Sequence, residues 1–286
     1  VNGISSAMKL PFAKMHGIGN DVMVVRWPAG VDLPGREQVS LWANRRFGPG
    51  FDQLMLILGD YTGPEDGAYR VFNADGREVE QCGNGVRCVA RYLATESGAD
   101  SLSLACAGGI VVAHMLDDGK VTVNLGDPEF SPDALPFAVE SEASTYELAV
   151  GNRHVEFGAV SMGNPHAVIV TDSVDNAPVG ILGSEFQEHD AFPSGVNVGF
   201  MELRGTARIG LRVFERGVGE TLACGTGAAA AVAVGRDRGM LDAQVEVSLP
   251  GGVLEVNWQG RGSPLWLAGP TTWVYKGQID YEPTER

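Results

Sequence analysis

Residues 70–85 read RVFNADGREVEQCGNG and residues 212–227 read RVFERGVGETLACGTG. Both run Arg-Val-Phe, five residues, Glu, three residues, then Cys-Gly-x-Gly, which sets Cys82 and Cys224 142 positions apart (224 minus 82). Two flanking stretches repeat in the same order. GNDVMVV from Gly19 faces GNPHAVIV from Gly163, and GFDQLMLI from Gly50 faces GVNVGFME from Gly195, at offsets of 144 and 145. Three landmarks at nearly one spacing indicate a duplicated domain.

Each copy holds several short alternating or β-branched runs bounded by Gly, Pro and Asp, such as FDQLMLIL, KVTVNL, QVEVSL and VLEVNW, which predict strands. Helices are predicted at Arg36–Phe47 and Gly83–Ser97 in the first copy, and at Ile181–Asp190 and Gly225–Arg238 in the second. Many strands and one principal helix per copy predict a curved or barrel-like sheet wrapped on that helix. The fold class expected is therefore α/β of the α+β type, with two pseudo-twofold-related homologous domains. A Pro- and acid-rich boundary, DPEFSPDALP, separates a first domain at 8–127 from a second at 128–271. Residues 1–7 precede a Met-Lys pair and lack the basic flank and apolar stretch of a secretory signal, so they are expected to be a tag or extension.

With 286 residues and 44% hydrophobic content the chain can bury real cores without staples. Its longest apolar run, Ala228–Val234, is far short of the roughly 18–20 residues that cross a bilayer, so no membrane association is expected. A formal charge of −15 opposes a phosphate-backbone footprint, so nucleic acid is excluded as a partner. Four cysteines in a chain this long suit free thiols in a reducing cytoplasm. No Cys-x2-Cys pair or paired histidine spacing suggests a metal.

In both copies a strand ends, the chain turns through Cys-Gly-x-Gly, and a helix begins. A helix N-terminus presents unpaired N–H groups and about half a positive charge, and glycines let a ligand approach that backbone. The same place stabilises a thiolate. One motif thus provides an anion cradle and an ionisable sulfur. Two such motifs facing one small carboxylate suit inversion at the adjacent carbon: one thiolate removes the proton and the opposite thiol delivers another. That chemistry needs no metal, pyridoxal or nicotinamide. Cys88, inside the helix, and Cys106, ending an apolar strand, read as small buried hydrophobes.

On MHGIGND (15–21), GFDQL (50–54), FNADGREVEQCGNGVRC (72–88), GNPH (163–166), GVNVGF (195–200) and ERGVGETLACGTG (215–227), the chain resembles the diaminopimelate epimerases. The resemblance implies two barrel-like domains, each around a central helix, with the site in the cleft between them. It implies a last strand within 272–286 returning to the first domain, and a homodimer. The implied reaction is the cofactor-independent interconversion of LL- and meso-2,6-diaminopimelate, a small-molecule substrate. Cys82 and Cys224 then match the two acid/base cysteines, with His166 and Glu215 beside the thiols, where they would assist ionisation. The implied substrate contacts are Asn20, Gln53, Asn73, Gly83, Asn84, Asn164, Asn197, Glu215, Arg216, Gly225 and Thr226. Carboxamides both donate and accept, and Arg216 can grip a distal carboxylate in two-pronged fashion. Glu78 and Glu220, the repeated glutamates, are expected to brace the loops by hydrogen bonds. Two rivals stand beside it: a racemase of a single-headed amino acid such as proline or hydroxyproline, whose site would not need Arg216 or the asparagine set, and a redox-sensing thiol pair or anion-binding module without turnover.

Overall fold

The computed structural model describes residues 8–80, 82–139, 141–151 and 153–283; the expected tag or extension at 1–7 lies outside them. The chain divides into two compact units. One comprises the residues up to Val121 and those from Pro270 onward, the other Thr122–Gly269.

In the first unit β1 (Met8–Gly17), β2 (Asn20–Trp27), α1 (Arg36–Ala43), β3 (Gln53–Leu58), β4 (Gly67–Asn73), β5 (Glu78–Val79), α2 (Gly83–Ser97), β6 (Ser101–Cys106) and β7 (Gly109–Met115) follow one another. The second contains most of β8 (Val121–Asn124), then β9 (Tyr146–Val150), β10 (Arg153–Ser161), β11 (Pro165–Val170), α3 (Val179–Gln187), β12 (Asn197–Leu203), β13 (Arg208–Glu215), β14 (Gly219–Thr221), α4 (Gly225–Asp237), β15 (Gln244–Leu249), β16 (Gly252–Asn257) and β17 (Trp266–Gly269). The last strand, β18 (Thr272–Tyr281), runs antiparallel along β1.

The two units are wired alike. In the first, β1 and β2 are antiparallel, β2 and β3 parallel across α1, β3–β4 and β4–β5 antiparallel, and β4 and β6 parallel across α2. In the second the same succession runs β10–β11, β11–β12, β12–β13, β13–β14 and β13–β15, with α3 and α4 as crossovers. Among the described residues four α-helices and eighteen strands make a mixed α/β, sheet-dominated fold of the expected two-domain kind.

Each sheet is covered on two sides. A short helix lies over an aromatic layer on one side: α1 brings Trp42 to Trp27 and Tyr281, and α3 brings Phe186 to Phe157 and Phe192. The long helix fills the other. α2 packs against β1, β2, β3, β6 and β7, and α4 against β10, β11, β12, β13, β16 and β17. Every residue of α4 from Gly225 to Gly235 is buried, which only a run of glycines, alanines and valines permits at such close quarters.

Three helices depart from the expected bounds, α4 only by ending at Asp237 rather than Arg238. The helix expected to reach Phe47 stops at Ala43, because Asn44 is extended (φ −67°, ψ 117°) and its Oδ1 accepts from the Arg46 and Phe47 amides at 2.9 and 3.3 Å. The helix expected at Ile181–Asp190 begins at Val179 behind Pro178 and ends at Gln187; beyond it His189 Nδ1 accepts from the Ala191 amide at 3.0 Å. Among the described residues no helix is long and apolar enough to cross a membrane.

Gly158 marks the tightest approach of β10 to α4, since a Cβ there would stand 2.3 Å from Val234 Cγ1. Gly158→Ala is expected to lower unfolding free energy by about 1–3 kcal/mol. Denaturant titration reads this, and adding Val234→Ala restores part of the loss.

Candidate active site

In each unit, strand β4 or β13 turns back as a short hairpin that delivers a cysteine to the N-terminus of the long helix. The repeated Arg and Glu of the two segments meet across that hairpin. Arg70 forks onto Glu78, and Arg212 onto Glu220 at 2.6 and 2.9 Å. The bracing role expected of Glu78 and Glu220 is thus visible in both copies.

Cys82 is the N-cap of α2, in extended backbone (φ −141°, ψ 112°), and its sulfur accepts from the Gly85 amide at 3.2 Å. A Cβ on Gly85 would strike Met55 Sδ at 2.6 Å, so the turn can only be this tight with glycine. Around the sulfur stand Gln53 Oε1 at 2.6 Å and Asn20 Oδ1 at 4.0 Å. Gln53 and Asn73 face each other across β3 and β4, and Gln53 Nε2 donates to Asn73 Oδ1 at 3.3 Å. Gly83 and Asn84 form the first buried turn of α2. Cys82, Asn20, Gln53, Asn73, Gly83 and Asn84 thus form one cluster.

Behind it lies a charged brace that sequence reasoning missed. Asp52 Oδ2 accepts from Asn20 Nδ2 at 3.3 Å and from the Asp21 amide at 3.0 Å. Arg45 grips both Asp21 oxygens and Asp52 Oδ1, each at 2.8 Å, and the buried Lys14 pairs with Asp21. Burial opposes ionisation of Asp21, but its Arg45 and Lys14 partners outweigh it and hold the carboxyl well below the usual range. Arg45 is free to reach this point because α1 ends two residues earlier, a detail that periodicity does not reveal.

The second unit builds the matching cluster. Cys224 occupies the N-cap position of α4 in extended backbone (φ −126°, ψ 109°). Thr226 Oγ1 lies 3.7 Å away. A Cβ on Gly227 would stand 2.9 Å from Val213 Cγ2, the counterpart of the Gly85 constraint. Asn164 Nδ2 donates to Thr226 Oγ1 at 3.5 Å, and His166 Nε2 sits 2.9 Å from Asn164 Oδ1. Asn197 Oδ1 accepts from the Arg216 amide, while its Nδ2 donates to Pro165 O, both at 2.9 Å. Arg216 is further tied to Ser194 O at 3.2 Å, and Thr221 Oγ1 donates to Glu215 Oε1. Asn164, His166, Asn197, Glu215, Arg216, Gly225 and Thr226 are thereby gathered around Cys224.

The electrostatics differ between copies. Burial raises the Cys224 thiol well above its ordinary value and the Glu215 carboxylate raises it further, while Thr226 and the Gly227 amide pull the other way. His166, 1% exposed, is pushed down to about 3 by burial and then by Arg216. A neutral ring orients Asn164 and brings no charge to the thiol. Cys88, wholly buried, is pushed up to about 12 by burial and stays a thiol. Among the described residues no group of three or more His, Cys, Asp or Glu is placed to hold a metal ion.

Residues 12–131 and 158–274 match the family model described as diaminopimelate epimerase. The fold also matches solved structures. A hydroxyproline epimerase from Agrobacterium vitis with bound trans-4-hydroxy-L-proline superposes at a TM-score of 0.70 with 17% identity, covering 96% of this chain and 93% of that one. A probable proline racemase from Agrobacterium radiobacter gives 0.68 with 15% identity over 94% and 92%. A phenazine biosynthesis protein of the PhzF family from Bacillus anthracis gives 0.64 with 15% identity over 95% and 99%.

Two outcomes are expected from these geometries. Because the unfolded state takes up a proton on His166 near pH 6.5 and the folded state only near 3, stability falls as pH drops through that window, by at most about 1.4 kcal/mol per pH unit. His166→Gln flattens that limb in urea titrations at stepped pH. Glu215→Gln lowers the pH midpoint for alkylation of Cys224, read by peptide mass spectrometry.

Proposed function

Since the chain belongs to the diaminopimelate epimerase family, whose members and structural relatives are epimerases and other isomerases, we propose that it interconverts LL- and meso-2,6-diaminopimelate. The observation that carries this is the pair of Cys-Gly-x-Gly helix entrances, each with its sulfur at the N-cap position. The chemistry asks for a base and an acid at opposite faces of one carbon. One sulfur takes the α-proton as its anion, and the other gives its thiol proton to the opposite face. The protein ends with thiol and thiolate exchanged, and the return turnover restores them. Between the two transfers the α-carboxylate carries extra negative charge, which the positive N-terminal ends of α2 and α4 stabilise. Cysteine suits the task because its free value of about 8.5 lies close enough to neutrality for both forms to be reached.

The substrate has a second amino-acid head, and Arg216 supports that choice. Its backbone amide and one guanidinium nitrogen are fixed by Asn197 and Ser194, so the rest of the fork is presented in a set orientation for a distal carboxylate. Asn73, Asn164 and Asn197 can serve ammonium and carboxylate alike. In this reading the substrate contacts are those eleven residues expected from the sequence, no cofactor takes part, and the protein works as a cytoplasmic homodimer in making lysine and peptidoglycan precursors.

The test is incubation with LL-diaminopimelate in deuterium oxide, with no cofactor added, followed by proton NMR. Loss of the α-proton signal with appearance of the meso isomer is expected. Exchange into L-proline or trans-4-hydroxy-L-proline instead would replace this substrate by a single-headed one, and no exchange into any of them would remove the reading. Cys82→Ala and Cys224→Ala should each lose about 10²-fold or more in epimerisation rate.

A further inference from the structure

Arg87 is, among the described residues, the largest charged group to be wholly enclosed, at 0% exposure, and it has no carboxylate partner among them. It lies in α2 one turn beyond the cysteine that caps the helix. One guanidinium nitrogen donates to Gly83 O at 3.1 Å and the other to Asn84 Oδ1 at 2.8 Å, while Nε has no hydrogen-bond partner among the described residues. Gly17, at the end of β1, makes room for it: a Cβ there would stand 3.0 Å from Nη2. The guanidinium therefore sits directly beneath the Gly83–Asn84 turn and pins both residues.

A buried, unpaired cation is costly, and structures keep one only where an anion compensates it. The ionisable groups on the elements packed against α2 do not supply that anion. On β1, Lys14 is itself a cation and His16 Nδ1 accepts from the Gly19 amide at 3.4 Å. On β2, Asp21 is taken by Lys14 and Arg45, and Arg26 by Glu96. β3 has no ionisable residue. Cys106 on β6 lies against the Tyr69 hydroxyl of β4, and that phenol is raised well above its usual value by burial and then by Cys106. On β7, His114 is neutral or cationic, and Cys88 of α2 itself stays a thiol. Burial draws Arg87 down to about 10, which leaves it charged at neutral pH, and Cys82 is among the groups that favour its charge. The second copy has nothing comparable: the position 142 residues on is Ala229, in a helix of alanines.

We propose that Arg87 is a positioning residue for the thiol chemistry, acting as the buried counter-cation of a Cys82 thiolate and as the clamp that holds the Gly83–Asn84 turn open to a substrate carboxylate. The inference rests on the epimerase reading of the same site. Gln53 accommodates either state of the sulfur, since its carboxamide oxygen accepts from a thiol and its nitrogen donates to a thiolate.

The experiment is the pH dependence of alkylation by iodoacetamide, resolved for each cysteine by peptide mass spectrometry, in the wild-type chain, Arg87→Gln and Arg87→Lys. Circular dichroism checks that each is folded. In the wild-type chain Cys82 should titrate at lower pH than Cys224. Arg87→Gln should raise the Cys82 midpoint by about one unit or more, the effect of removing one adjacent opposite charge, and leave Cys224 unmoved. Arg87→Lys should restore most of the midpoint. A wild-type Cys82 midpoint at or above that of Cys224 overturns the proposal, as does a folded Arg87→Gln chain with an unmoved Cys82. Should Arg87→Gln fail to fold, the wild-type comparison and Arg87→Lys decide. The readout needs no substrate. Failure to epimerise diaminopimelate with an Arg87-dependent Cys82 removes only the substrate assignment, and active epimerase with an Arg87-independent Cys82 removes only this inference.

Discussion

A helix enclosed by its own sheet cannot leave its first amides to water. In α4 every residue of the first three turns is buried, and in α2 the whole first turn is. Orphan N–H groups in such a place need partners from the segment that leads into the helix or from a ligand. At the entrance to α2 the Cys82 sulfur accepts from the Gly85 amide, and a Cβ on Gly85 or Gly227 would crowd Met55 or Val213. An anion site beside a thiol thus follows from burying a helix end-on behind a Cys-Gly-x-Gly turn, and duplication of the domain makes two of them.

The Arg–Glu forks explain how such a turn is held in register. Their side chains are between a quarter and two-fifths exposed, where an isolated ion pair contributes roughly 0–1 kcal/mol. Stability is therefore a poor reason for finding the same pair in both copies. Geometry is a better one. A bidentate fork across a hairpin of two or three paired residues sets the angle at which the next residues reach the helix, and the cysteine is four residues beyond the glutamate. The charged brace of Lys14, Asp21, Arg45 and Asp52 has a similar task one layer out, fixing Asn20 beside Cys82.

The duplicated frame was the most legible feature of the sequence, because it is carried by glycines, an arginine, a glutamate and a cysteine at fixed spacing, each needed by the turn itself. The two long helices were legible as well, since Gly-x-Gly starts them and apolar residues fill them; α2 spans Gly83–Ser97 as its pattern indicates. Where side chains compete with backbone the reading failed. Asn44 ends α1 early by accepting two amides, and nothing in the hydrophobic period of Arg36–Phe47 signals it. Long-range partners were beyond reach: Arg45 meets Asp21 across 24 positions, and Gln187 meets Glu215 across 28. Arg87 did leave a trace. A single arginine between Val86 and Cys88, inside an apolar helix, is the sequence mark of a buried charge, and its role follows only once its surroundings are known.

The divergence of the two copies has a thermodynamic rationale. Two thiols in identical surroundings near their free value of about 8.5 would both be protonated in most molecules at pH 7, and a site with two acids and no base cannot start. Lowering both equally gives two bases and no acid. A working pair needs its two values split, so that one sulfur is ionised while its partner is not, which is the general device by which matched groups take opposite roles. The surroundings of the copies differ in that sense: a buried guanidinium pinned to the turn after Cys82, and a carboxylate beside Cys224. Arg87 in the first copy stands at the position of Ala229 in the second, and Asn73 at that of Glu215, 142 residues apart in each case. The split also cannot be too large. In the proposed reaction a substrate turned over in both directions would exchange the roles of the sulfurs at each passage, so each would have to return its proton, and the carboxamides and hydroxyls around them, able to donate or accept, suit both states.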